Sequence, residues 1–243
     1  MSRKSKRNQS TPDWQNPESS DSRQSSGSGR RGFLIGLAAV LLVVVSMATL
    51  MYRSSSTGSS DAAATARTAA LTSAHSPTLG PANAKVHIVE FLDPDCETCA
   101  QFFPMVKQWL AENPGKTRLS VRHVAFHSGS DYVVRVLEAS RKQDRYWQTL
   151  EAVLASQAQW APNHTAQPDL VLQAIAGLGL NHEQLLADMN APEVTRRMEQ
   201  DRNDAISLKV TATPEYFVNG RPLPSFGEQQ LLNLVNEELQ LAY

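Results

Sequence analysis

The distribution of apolar residues divides the chain into an N-terminal region and a folded region. Residues 32–52, "GFLIGLAAVLLVVVSMATLMY", form a run of 21 residues without a charged side chain. A helix of that length extends about 30 Å at ~1.5 Å per residue, which matches the hydrocarbon thickness of a bilayer. Because helices of soluble proteins normally keep a polar face, the run predicts one N-terminal transmembrane helix over residues 32–52.

The segments on either side of this run have few large apolar residues. Residues 1–31 are rich in Ser, Gln, Asn and Gly, and such a composition cannot bury enough apolar surface to offset its ordering entropy. Residues 53–82 are rich in Ser, Thr, Ala and Gly and show no periodicity. We therefore expect a disordered tail over residues 1–31 and a flexible linker over residues 53–82.

The basic residues beside the apolar run predict its orientation. Arg30 and Arg31 directly precede the run, whereas only Arg53 directly follows it, so the tail should be cytoplasmic. This predicts a single-pass protein of the bacterial inner membrane with its folded domain in the periplasm. Cleavage is the alternative, since "RRGFL" at 30–34 is similar to a twin-arginine export signal. Either arrangement places the cysteines in an oxidising compartment.

Residues 83–243 show the patterns of one α/β domain. "KVHIVEFL" at 85–92 is rich in β-branched and aromatic residues, which is typical of a strand buried on both faces. The remaining pattern predicts, in order, a helix from Cys96 to the "NPG" at 113–115, a strand over 117–126, a helical insertion at about 128–209, a hairpin turning at Asn219-Gly220, and a helix over 227–242. Parallel strands need a crossover connection, which the first helix supplies.

Composition narrows the possible functions. The formal net charge is −1 and 19% of the residues are charged, so no basic surface for nucleic acid is expected. Six His and two Cys leave little material for a metal cluster. We therefore predict no nucleic-acid partner, no metal and no cofactor.

Both cysteines lie in "EFLDPDCETCAQFF" at 90–103, three positions apart. Cys96 follows a strand and begins a helix, with Asp95 as the expected N-cap. Free N–H groups and the positive end of the helix dipole stabilise a thiolate there. Cys99, one turn further, is the natural buried partner, so the spacing favours a reversible dithiol.

Other uses of the two cysteines remain alternatives. A closed zinc site needs four ligands, and His123 and His127, on or just past a strand, lie about 13 Å apart, too far to chelate one ion. A structural disulfide across so short a loop stabilises weakly. Two thiolates also suit copper(I), so a copper(I)-binding module or an adaptor with vestigial redox activity is the alternative function.

Two further motifs contribute candidate site residues. Glu90 lies six residues before Cys96 in an otherwise apolar strand, and a buried carboxylate there could exchange a proton with Cys99; a Glu that reaches solvent is the alternative. In "VTATPEYFVNG", a cis bond between Thr213 and Pro214 would leave the Thr213 backbone free to pair with an extended substrate; a trans proline that begins a strand is the alternative.

"EFLDPDCETC" and "TATPEYFVNG" together resemble the DsbA-like branch of the thioredoxin superfamily over about residues 84–240. The resemblance implies a thioredoxin-like fold with an inserted helical domain, Cys96 as attacking thiol, Cys99 as resolving thiol, and Pro214 as a cis-proline beside them. It also implies protein substrates that carry disulfides or thiols, and a membrane-embedded redox partner.

The dipeptide between the cysteines differs from the Pro-His common in strong oxidants of that family. Glu97 stands directly after Cys96, and a negative charge there is expected to raise the pKa of Cys96 and to make the disulfide less oxidising. The direction of electron transfer therefore stays open among oxidase, reductase and isomerase.

Overall fold

The computed structural model describes residues 41–49, 51 and 64–243. The predicted cytoplasmic tail and most of the predicted transmembrane helix lie outside these residues. Residues 41–49 are helical and belong to a different unit from residues 64–243. Within the described ranges, no helix has both the length and the apolarity needed to cross a bilayer.

The domain is built on one mixed sheet. Its strands are β1 (Thr78–Leu79), β2 (Val86–Leu92), β3 (Thr117–His123), β4 (Glu215–Val218) and β5 (Arg221–Pro222), in the order β1–β3–β2–β4–β5. β2 and β3 are parallel, and the other neighbouring pairs are antiparallel. The predicted crossover and the hairpin are both confirmed, with Asn219 and Gly220 at positive φ in the turn.

Nine helices are labelled here in the part of the chain after residue 63. They are α1 (64–71), α2 (Glu97–Glu112), α3 (Ser130–Ser140), α4 (Tyr146–Ala155), α5 (Gln157–Trp160), α6 (Pro168–Ile175), α7 (His182–Met189), α8 (Pro192–Leu208) and α9 (Glu228–Ala242). Helices α3 to α8 form the predicted insertion between β3 and β4. Helix α2 ends at Asn113, where the "NPG" signal predicts it to end.

The sheet is covered on both faces, which explains why β2 carries buried residues on both faces. Ile88 and Leu92 lie in a core shared with α2, the inserted helices and α9. Val89 and Phe91 lie in a second core shared with α1 and α8. β2 is thus the central buried strand, and its carboxyl end delivers the chain to the cysteines.

The structure differs from the predicted flexible linker over residues 64–82. Residues 64–71 are helical, Ala70 and Leu71 are buried in the second core, and β1 pairs with β3. The composition of this segment is typical of a linker because its residues are small. Burial of Ala70 and Leu71 depends on a matching surface of α8 and the sheet, which no local pattern reveals.

A buried ionic network holds this N-terminal segment in place. Arg122 on β3 is fully buried; its Nε donates to Asp201 Oδ1 at 2.7 Å, and its guanidinium also donates to the backbone carbonyl of Ala70. His75 Nε2 lies 2.6 Å from the same Asp201 oxygen. A carboxylate on α8 is therefore shared between the sheet and the segment that precedes β1.

We expect His75→Ala to lower the free energy of unfolding by about 1.5–3 kcal/mol, because it removes a hydrogen bond to a buried carboxylate. Urea unfolding followed by circular dichroism measures the change. His182→Ala is the matched control, since His182 is exposed and surface changes usually stay within ~0.5 kcal/mol. Equal values for the two variants would show that His75 contributes nothing.

Candidate active site

Cys96 is itself the N-cap of α2, with φ −84° and ψ 117°. The prediction that Asp95 caps this helix is wrong: no side chain caps it, and the Asp95 N–H donates to Asp93 Oδ1 at 2.9 Å. The helix thus begins one residue later than expected, and Cys96 takes the cap position instead of the first helical position. Its sulfur consequently faces the free N–H groups of the first turn.

The two thiols have opposite environments. Cys96 keeps 7% of its surface exposed, whereas Cys99 is completely buried. A hydrogen bond from the Cys99 side chain lowers the pKa of Cys96 to about 5, against the opposing effect of burial and with help from the N–H groups of Cys99 and Thr98. Burial raises the pKa of Cys99, and the Cys96 thiolate and Glu90 raise it further. At neutral pH the site therefore holds one thiolate and one thiol.

The expectation that Glu97 raises the pKa of Cys96 is wrong. The Glu97 side chain is 72% exposed and lies 4.0 Å from His164 Nε2. Solvent screens a charge in that position, while the hydrogen bonds to Cys96 act at close range in a mostly buried site. Those hydrogen bonds determine the pKa of Cys96.

Glu90 lies inside the protein, which excludes the alternative that it reaches solvent. It has no exposed surface, and Tyr216 Oη donates to its Oε1 at 2.9 Å. Burial raises the pKa of Glu90 to about 8, opposed by the hydrogen bond from Tyr216 and reinforced by the charge of Cys96. Glu90 Oε2 is buried without a hydrogen-bond partner among the described residues.

The loop before β4 touches the reactive sulfur. The Thr213–Pro214 peptide bond is cis, as the resemblance implied. When Cys96 is protonated, its Sγ donates to the carbonyl oxygen of Thr213 at 3.2 Å. Pro214 is buried and Thr213 is half-buried, so the backbone of Thr213 stands at the accessible edge of the dithiol.

Aromatic side chains extend from the loop to the surface. The ring of Phe102 on α2 lies 6.3 Å from that of Tyr216 and 4.8 Å from that of Phe226. Phe226 is 53% exposed, whereas Tyr216 is fully buried. Phe226 was not singled out by the sequence, because it lies in a loop without an apolar periodicity.

Sequence reasoning also missed a polar cluster around Asp93, three residues before Cys96. Asp93 Oδ2 accepts the backbone N–H groups of Phe126 and His127, and it lies 2.8 Å from His127 Nδ1. The rings of His127 and His164 stack with centroids 5.3 Å apart. These contacts join the start of the insertion to Asp93, in the loop before Cys96, across more than 30 residues. No local sequence motif therefore indicates them.

The ionisable groups of this cluster surround Asp95. Burial and the neighbouring Asp93 raise the pKa of Asp95 to about 6. His123, by contrast, points away into the core, where its Nε2 lies 2.8 Å from Tyr146 Oη. Among residues 41–49, 51 and 64–243, no group of three or more His, Cys, Asp or Glu side chains is placed to hold a metal ion.

Comparison with known proteins identifies a thioredoxin-like domain. A family model described as thioredoxin matches residues 72–237. A solved thioredoxin-like oxidoreductase from Silicibacter pomeroyi is 30% identical with a TM-score of 0.62, over 72% of this chain and 98% of that one. Disulfide bond formation protein D of Bacillus subtilis is 24% identical over 172 residues, covering 68% of this chain and 77% of its own length.

A second kind of relative is a transport protein. The Na(+)/H(+) antiporter NhaA of Herminiimonas arsenicoxydans is 31% identical over 144 residues. The match covers 59% of this chain but only 22% of the antiporter. The similarity therefore concerns one part of that longer protein.

Proposed function

Because the chain belongs to the thioredoxin family, we propose that it is a DsbA-like protein thiol–disulfide oxidoreductase that works through Cys96 and Cys99. One observation carries the proposal: a slightly exposed thiol with its pKa lowered to about 5 adjoins a completely buried thiol. The thiolate is the reactive form of cysteine, and a buried neighbour can displace a partner bound to it.

In the reducing direction, the Cys96 thiolate attacks one sulfur of a substrate disulfide and releases the other as a thiolate, which takes a proton. A mixed disulfide then joins Cys96 to the substrate. Cys99 loses its proton and attacks Cys96 Sγ, which forms the Cys96–Cys99 disulfide and releases the second substrate thiol. Two electrons pass from the protein dithiol to the substrate; the oxidising direction reverses every step.

Glu90 and Thr213 serve these steps in different ways. Glu90 is buried beneath the dithiol and interacts electrostatically with Cys99, so it accepts the Cys99 proton during resolution. The backbone of Thr213 is within hydrogen-bond distance of Cys96 Sγ, so it positions an extended substrate chain, and Pro214 holds that backbone in place.

The electrostatics favour the oxidising direction. Stabilising the Cys96 thiolate stabilises the reduced protein relative to its disulfide. A pKa of about 5 is lower than the value of about 7 found in thioredoxin, so the pair should be the stronger oxidant. We therefore propose that the protein transfers disulfides to substrate thiols and is reoxidised by a membrane-embedded partner.

The proposed location is the bacterial inner membrane, with the folded domain in the periplasm. The uncharged run at 32–52 and the two arginines before it support this location. Fractionation should find the full-length chain in the membrane, where protease added to spheroplasts degrades the folded domain. A mature soluble protein that begins after Tyr52 would contradict the proposed membrane anchor. It would not contradict the proposed redox chemistry.

Cys99→Ala tests the chemistry. The variant keeps the attacking thiol but lacks the resolving one. It should therefore accumulate mixed disulfides with periplasmic proteins, and dithiothreitol should reduce these complexes. Non-reducing electrophoresis measures them, and the Cys96→Ser/Cys99→Ala double variant is the control. Complexes that persist in the control, or none in Cys99→Ala, would contradict the proposal. Copper(I) bound tightly without any mixed disulfide would favour the copper-binding alternative.

A further inference from the structure

Tyr216 is the direct hydrogen-bonding partner that the structure shows for Glu90. The two residues are opposite each other in the register of β2 and β4, and Tyr216 Oη donates to Glu90 Oε1 at 2.9 Å. Both side chains are fully buried. The pairing of the two strands thus holds the Tyr216 hydroxyl on the Glu90 carboxyl group. Tyr216 lies three residues after Thr213, whose carbonyl contacts Cys96.

The surroundings keep this pair dry. The half-buried Phe102 stacks against Tyr216, and Glu90 Oε2 has no hydrogen-bond partner among the described residues. A hydrogen bond in such a site acts in a low effective dielectric and is stronger than the same bond in water. Loss of the Tyr216 hydroxyl would leave both oxygens of Glu90 without a partner.

We propose that Tyr216 is a positioning residue for the resolving step: its hydroxyl stabilises the ionised form of Glu90 and so raises the fraction of Glu90 that can accept the Cys99 proton near neutral pH. This inference rests on the proposed function. The step transfers one proton from Cys99 Sγ to Glu90; the resulting Cys99 thiolate bonds to Cys96 Sγ, and the substrate leaves as a thiolate.

The titratable groups that interact with Glu90 come from three elements. Cys96 and Cys99 lie at the start of α2, and their negative charges favour a protonated Glu90. Tyr146 on α4 also interacts electrostatically with Glu90, but burial raises the pKa of Tyr146 more than the charge of Glu90 does. Tyr216 on β4 donates a hydrogen bond to the Glu90 carboxylate, which lowers the pKa of Glu90 and so opposes the effect of burial. Removal of this single hydroxyl should therefore shift the pH range in which Glu90 acts as a base.

Tyr216→Phe tests the proposal in the full-length, reduced protein mixed with a stoichiometric amount of 5,5′-dithiobis(2-nitrobenzoate) in a stopped-flow instrument. Attack by Cys96 releases the first thionitrobenzoate, and resolution by Cys99 releases the second, so absorbance separates the two steps. We expect Tyr216→Phe to slow the second phase roughly tenfold at pH 7 and to raise its pH midpoint by about one unit. The first phase should change less than about twofold, because Cys96 keeps its own hydrogen bonds.

Two controls separate this role from a structural one. Tyr146→Phe removes a buried hydroxyl of the same type that bonds to His123 instead of Glu90, and it should leave the midpoint of the second phase unchanged. When Glu90→Gln is already present, Tyr216→Phe should no longer shift the midpoint. An unshifted midpoint in Tyr216→Phe alone, or an equal shift in the Glu90→Gln/Tyr216→Phe double variant, would overturn the inference. Absence of both phases in the natural protein would overturn the proposed function instead.

Discussion

Cys96→Ser should reduce insulin disulfides no faster than a reaction without protein. A serine hydroxyl is not ionised near pH 7, so the nucleophile is lost. Cys99 cannot replace it, because Cys99 is completely buried and burial raises its pKa. Insulin precipitation in the presence of dithiothreitol measures the rate, and residual activity in Cys96→Ser would remove Cys96 from the mechanism.

Alkylation tests whether Cys96 reacts as a thiolate, which is the reason for the expected loss of insulin reduction in Cys96→Ser. Reaction of the reduced protein with iodoacetamide should rise with pH around a midpoint near 5, the value to which hydrogen bonding lowers the pKa of Cys96. In Cys99→Ala the midpoint should increase by at least about one unit, since the largest stabilising hydrogen bond is lost. A midpoint near 8.5 in the natural protein would contradict the electrostatic basis of the site.

Glu90→Gln should stabilise the fold at alkaline pH. Burial raises the pKa of Glu90 from 4.5 to about 8. Between these two values the folded chain holds a proton that the unfolded chain has released, so the contribution of Glu90 to stability falls as the pH rises. Glutamine is neutral throughout, so Glu90→Gln should add roughly 3–5 kcal/mol to the free energy of unfolding above pH 8.

The stabilisation should be almost absent at pH 4, where both states of the natural protein carry a neutral Glu90. Urea unfolding of the two proteins at pH 4, 7 and 9 measures the trend. Glu199→Gln, an exposed carboxylate on α8, is the matched control and should change stability by less than ~0.5 kcal/mol. A Glu90→Gln variant with pH-independent added stability would contradict a buried, neutral Glu90.

The features that sequence reasoning recovered all depend on neighbouring residues. The apolar run at 85–92 predicted a strand buried on both faces, and "CETC" after that strand predicted a dithiol at a helix start. Pro214, in its short motif, is cis in the structure as the resemblance implied. Strand, turn and helix-start signals act over a few residues, so they can be recognised without knowledge of the tertiary structure.

The features it missed depend on contacts between distant segments. Residues 64–82 have the composition of a linker, yet Arg122 and the second core bind them. Glu97 has a charge of the sign that raises a thiol pKa, but its side chain points into solvent. Whether a small residue is buried or a charge is screened depends on what packs against it, so composition alone misjudged both.

The amino-acid sequence alone determined the order of strands and helices from residue 85 onward, the place of Cys96 at a helix start, and the presence of a carboxylate six residues before it. The tertiary structure decided that Cys99 donates to Cys96, that Tyr216 faces Glu90 across two strands, and that Asp93 joins His127 to the cysteine loop. The physical reason is range: backbone preferences are local, whereas hydrogen bonds and desolvation depend on which distant side chains the fold brings within a few ångströms.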